Sequence, residues 1–142
     1  MLSLTQEEIM DKLERILLSD DTIVVAYLFG SIAREEVNFQ SDLDVALYLS
    51  SPLQDEERFG YLSTVIDKVG KEFSHDYIDI VVLDDNVPYF LAYNIIKQGK
   101  VIFSRNRTIQ AQLESLIIRR YLDFEHYSEV YNKCLLKRWK KK

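Results

Sequence analysis

An α/β fold, a small mixed β-sheet flanked by helices and closed by a C-terminal helical segment, is predicted for this chain by three observations. Four apolar runs read as strands: "TIVVAYLF", "DLDVALYL", "YIDIVVL" and "KVIFS". Segments with apolar residues at helical spacing lie between and after them. The composition of 142 residues, 47% hydrophobic and 29% charged, suits one compact domain that hides roughly two-thirds of the surface its unfolded chain exposes.

The elements follow in order. In "LTQEEIMDKLERIL", Thr5 and Glu8 have capping-box spacing, and Ile9, Leu13, Ile16 and Leu17 share one helical face. "TIVVAYLF" is nearly all apolar and rich in β-branched residues, as a strand buried on both faces should be, and it ends at Gly30. "SIAREEV" reads as a short helix. "DLDVALYL" alternates with period two. "PLQDEERFGYLSTVIDKVGKEF" sets Phe59, Leu62, Val65, Ile66, Val69 and Phe73 at helical spacing behind Pro52, which suits a first-turn position. "YIDIVVL" is a third strand, "PYFLAYNIIKQ" a helix stopped by Gly99, "KVIFS" a short strand, and the segment from Arg107 to Trp139 one or two closing helices. The expected organisation is a core over residues 1–104 and a helical segment over 105–142. No repeat or low-complexity linker interrupts it.

Composition narrows the function classes. Cys134 is the only cysteine, so an internal disulfide and a thiolate metal cluster are excluded. No apolar run approaches the roughly 20 residues of a membrane span, and the mixed charged and apolar start has no export-signal pattern, so a cytoplasmic location is expected. The net charge of -5 is unevenly divided. Residues 1–118 hold 10 Lys/Arg against 20 Asp/Glu, and residues 119–142 hold 8 against 3. An acidic body is ill-suited to gripping a nucleic-acid backbone, whereas the basic tail suits an acidic partner, an RNA or plain solvent.

The residues that carry chemistry cluster between Leu28 and Leu49. Alternation places Asp42 and Asp44 on one face of their strand with Ala46 and Tyr48, while Leu43, Val45, Leu47 and Leu49 face the other way. Two carboxylates so close disfavour each other's ionisation, and a divalent cation with a taste for hard oxygen ligands, magnesium first, would relieve them. Upstream, Gly30 lets backbone approach a ligand, Ser31 offers a hydroxyl, and free N–H groups at the start of a helix favour a phosphate there. Asp79 interrupts an apolar strand, where a charge is costly without a partner. If its strand lies beside that of Asp42, three carboxylates converge in front of Ser31, enough for two ions roughly 3.5 to 4 Å apart and an in-line displacement at phosphorus. Asp79 is then a distinguishing metal ligand or the base that takes the acceptor's proton.

A Gly-Ser pair after a strand, ten residues, an Asp-x-Asp on a second strand and an Asp on a third resemble the nucleotidyltransferase superfamily related to DNA polymerase β. The ending from Gly99 to Trp139 is similar to that of MntA-type antitoxins of type VII toxin-antitoxin systems. The resemblance implies a polymerase β-like fold and an adenylyltransferase that uses ATP and two magnesium ions to attach AMP to a tyrosine of a helical HEPN-fold ribonuclease toxin of the HepT type. Carried over, it implies that Gly30, Ser31 and Arg34 bind the nucleotide and that Asp42, Asp44 and Asp79 bind metal and carry catalysis. The chain departs from the Ala-Arg-Gly of minimal members at Glu35. Two other readings compete: an antitoxin that only covers its toxin, and a transferase acting on RNA or a small hydroxylated substrate.

Other candidates are weaker. Arg120 and His126 match the Arg-x(4–6)-His of HEPN ribonucleases superficially, but that site needs a helical bundle. His75 beside Asp76 reads as a turn, and neither histidine has the company of a zinc site. Tyr121, Tyr127 and Tyr131 read as core or interface, as do most tyrosines on helices.

Overall fold

The computed structural model describes residues 5–33, 42–73 and 78–140. Helix α1 (Gln6–Leu17) is capped by Thr5, whose hydroxyl oxygen accepts from the Glu8 amide at 3.2 Å, and it buries Ile9, Leu13 and Leu17. Strand β1 (Ile23–Phe29) leads directly into the four-residue helix α2 (Gly30–Ala33). Then come β2 (Leu43–Leu49), α3 (Asp55–Phe73), β3 (Ile78–Val82), α4 (Tyr89–Gln98), β4 (Lys100–Ser104) and α5 (Arg107–Lys140). The rest of the expected "SIAREEV" helix lies outside the described residues.

The four strands form one mixed sheet in the order β3-β2-β1-β4. β1 runs antiparallel to β2 and to β4, while β2 and β3 are parallel. The parallel pair needs a crossover, which α3 supplies. One face, with Leu28, Leu43, Val45, Leu47 and Ile80, packs under α1 and α3. The other, with Val25, Tyr27, Ala46 and Leu83, packs under α4 and the first half of α5. β1 is therefore covered on both sides, which accounts for its almost unbroken apolar sequence.

Two expectations about α3 are corrected. The helix begins at Asp55 rather than at Pro52, and its acidic first turn of Asp55, Glu56 and Glu57 complements the helix dipole. Phe59 is 81% exposed, because the buried stripe of Val65, Val69 and Phe73 starts only where the helix reaches the sheet. The closing segment is a single helix of 34 residues, about 50 Å long. Its first half buries Leu113 and Ile117 and stacks Tyr121 on Tyr93 with ring centroids 4.0 Å apart. Tyr27, deep under this helix, donates to the Glu114 carboxylate at 2.9 Å; burial first, and then that bond and charge, push its pKa up. Beyond Ile117 no described residue of α5 is buried.

Candidate active site

The site is built at one end of the sheet, where β1 finishes and β2 and β3 begin. Antiparallel pairing sets Phe29 opposite Asp44, and parallel pairing sets Asp44 beside Asp79. In-register neighbours point to the same face, so these two carboxylates rise side by side from strands about 4.8 Å apart. Asp42, exposed and two residues before Asp44, lies at the entry to the same strand, with the parity of that face. Asp44 is half-buried and Asp79 is exposed to solvent.

Gly30 completes this edge. It has φ +76°, in the left-handed region that only glycine enters without strain, and a Cβ built on it would collide with the Asp44 carboxylate. The chain thus folds its backbone directly against an acidic side chain, a close approach that any other residue would block. Ser31 follows as the second residue of α2.

Among the described residues, no three His, Cys, Asp or Glu side chains gather closely enough to hold a metal by themselves. Two neighbouring carboxylates with a third upstream fit magnesium nonetheless, since that ion commonly takes one or two carboxylates and completes its shell with water and substrate phosphates. Arg34, His75 and Asp76 lie outside the described residues. His126 stands exposed on α5, while Arg120 is tied to Asp85 at 3.0 Å, so the Arg-x(5)-His pair forms no site with the carboxylates.

A family model described as "Polymerase beta, Nucleotidyltransferase" matches residues 11–108. The chain belongs to that family. In this nucleotidyltransferase the matched segment runs from within α1 to the start of α5 and so contains every strand and all the candidate carboxylates. No curated protein matches it. Among solved structures it is similar to a toxin-antitoxin with AMP-PNP, at 19% identity and a TM-score of 0.72 over 89% of this chain and 98% of that one. It is also similar to a complex of tri-AMPylated Shewanella oneidensis HEPN toxin with MNT antitoxin, at 18% identity and 0.68 over 92% and 98%. An MntA-HepT toxin-antitoxin structure is similar at 17% identity and 0.67 over 92% and 98%. At these identities the likeness establishes the shared fold, and it extends over α5 as well.

Sequence reasoning did not anticipate two features. The first is Gln6, whose amide nitrogen donates to the carbonyls of Ile32 at 2.8 Å and Ala33 at 3.0 Å while its oxygen accepts from Lys100 at 2.7 Å. Nothing in a glutamine on the first turn of a helix signals such a reach. The second is a cavity of about 280 Å³ walled by Tyr48, Leu83, Val87, Ala92 and Ile117, with Arg120 at its rim. It lies at the far end of β2 from Asp44, roughly 13 Å along the strand, and is separate from the carboxylate edge.

Proposed function

We propose that this nucleotidyltransferase is an antitoxin that transfers AMP from ATP to a tyrosine of a HEPN ribonuclease and thereby silences it. The observation that carries the reading is the Gly30 backbone folded against Asp44, with Asp79 in register beside it. Further support comes from the family match and from the likeness to complexes of an AMPylated HEPN toxin with its antitoxin and of a toxin-antitoxin with AMP-PNP.

In this reading Gly30 and Ser31, with Arg34, cradle the triphosphate, and Asp42, Asp44 and Asp79 hold two magnesium ions. Magnesium, when bound by these carboxylates, would offset the charge of the phosphates and supply Lewis-acid help to the acceptor oxygen. The tyrosine hydroxyl oxygen attacks the α-phosphorus, the bond to the β-phosphate oxygen breaks, and pyrophosphate leaves. Asp79, more exposed than Asp44, receives the hydroxyl proton. The phosphodiester adds negative charge and bulk where an RNA phosphate must approach, so the ribonuclease is repelled from its substrate.

The segment from Arg119 to Lys142 helps to dock the partner, while the start of α5 packs on the core. The sheet and α4 bury residues only in the first half of α5, α4 reaching the second half through an edge contact of Tyr89 with Phe124, and from Leu122 onward the helix leaves Tyr127 and Tyr131 largely in solvent on a segment of basic net charge. Aromatic residues of this kind favour interface cores. No described helix is long and apolar enough to cross a membrane; the need for ATP as donor favours the cytoplasm as the place of the proposed reaction.

The test uses ATP labelled at the α-phosphate, magnesium and a purified HEPN ribonuclease of the HepT type. Label on a partner tyrosine, lost with Asp44→Asn, is the expected result. Label on RNA or a small molecule alone overturns the acceptor, and inhibition of the ribonuclease with no label anywhere overturns catalysis.

A further inference from the structure

We propose that Gln6 is a positioning residue for the nucleotide, acting through the carbonyl end of α2, with Lys100 holding Gln6 in place; this rests on the reading above that the Gly30–Ser31 turn takes the triphosphate. A four-residue helix cannot sustain itself, because nucleation is unfavourable and nearly all its terminal carbonyls lack intrahelical donors. Gln6 supplies donors to two of them at once, at Ile32 and Ala33. Its orientation is unambiguous. Carbonyl oxygens only accept and an ammonium only donates, so the amide nitrogen must face α2 and the oxygen must face Lys100.

One side chain therefore ties α1, α2 and β4 together. From below, Ile32 and Ala33 are fixed by burial in the core. Gln6 fixes the same two residues from above, leaving α2 little freedom to slide. That matters because Gly30, the first residue of α2, holds a left-handed backbone against the Asp44 carboxylate with no room to spare. A displacement of α2 by a fraction of an ångström alters the space left for phosphates over the carboxylates, and sites of this kind need such tolerance.

The clamp acts on the bound nucleotide before and during transfer alike, so its loss weakens binding without selectively slowing the chemical step. Two variants separate its halves. Gln6→Leu removes donor and acceptor, while Gln6→Glu keeps the acceptor for Lys100 but sets a carboxylate against two carbonyl oxygens. Both should raise KM for ATP by about three- to tenfold, the range set by one or two hydrogen bonds, with kcat changed by less than about twofold. The dissociation constant of AMP-PNP, measured by calorimetry with magnesium, should rise by the same factor. Lys100→Leu, which leaves the α1 side chain intact, should give a smaller rise in the same direction.

A merely structural role predicts something else: a lowered Tm with KM and AMP-PNP affinity unchanged, or losses in kcat alone, and either result overturns the clamp. Unchanged affinity in Gln6→Glu does so too, because the repulsion is unavoidable if the contact is real. Were the wild-type chain itself unable to bind AMP-PNP, the nucleotide reading would fall and the clamp with it; wild-type binding matched by the variants removes the clamp alone.

Discussion

The two ends of the sheet surround their acidic residues differently. At the end where β1 begins, Asp20 is paired within the protein: its carboxylate accepts from the Thr22 amide at 3.0 Å, the Thr22 hydroxyl at 2.6 Å and the Tyr61 hydroxyl at 2.7 Å. Arg105 sews the same end shut through the carbonyls of Ile23, Leu18 and Asp20. At the end where β1 stops, register sets Asp44 against another acid, Asp79, and brings the Gly30 backbone down upon it. Folding alone would favour the first arrangement everywhere, since like charges side by side cost stability. The second is what a site for cations and phosphates requires.

That contrast is broken or sharpened by substitution. The largest effect expected is from Asp44→Asn, which should cut transfer by about 10³-fold or more with the fold kept, because the amide preserves the side chain's volume while removing the charge that magnesium requires. Steady-state kinetics and calorimetry check both halves; near-normal turnover would disprove the metal assignment. Next is Gly30→Ala, which adds a Cβ where the Asp44 carboxylate sits and forces alanine into φ +76°. About 10²-fold lower activity is expected, with a stability loss of about 1–2 kcal/mol from the left-handed backbone. Ser31→Ala should cost only about tenfold, since backbone N–H groups remain to hold phosphate; a loss equal to that of Asp44→Asn would assign the hydroxyl a larger part.

Asp20→Asn should do the reverse of Asp44→Asn, lowering stability by about 1–2 kcal/mol, a figure discounted for the exposure of the carboxylate, with transfer unchanged. Burial raises the Asp20 pKa, but the Thr22 and Tyr61 hydrogen bonds, the Thr22 amide and the charge of Lys68 outweigh it and hold it below the ordinary 3.8. A lowered carboxylate pKa contributes stability above the unfolded value and loses it as pH falls through the folded one. Denaturant curves for wild type and Asp20→Asn should therefore differ fully at neutral pH and approach one another below about pH 4. A gap that persists at pH 2 would show that Asp20 acts by something other than its charge.

Much of this was legible in the sequence because it depends on local rules. The Thr5 cap, the alternation from Leu43 to Leu49 and the Gly99 stop need only neighbouring residues, and each is found as expected, although the strand begins one residue after Asp42. The Gly30–Asp44 approach was legible as chemistry but not as contact, since the 13 intervening residues give no path. That Asp79 stands beside Asp44 depended on strand order, a tertiary fact that spacing leaves open. Phe59 was misread because helical periodicity shows which face is apolar and not where along the helix the sheet begins. Gln6 was invisible: its partners lie 26, 27 and 94 residues away, and any polar residue on an exposed first turn looks the same in sequence.

The most direct test is the intact mass of the HEPN partner after incubation with this chain, ATP and magnesium. A gain of one or more AMP masses, mapped to tyrosine and absent with Asp44→Asn or with EDTA, is the predicted result. An unchanged partner mass, under conditions where the ribonuclease is nevertheless inhibited, would contradict it and leave the carboxylate edge without the catalytic role assigned to it.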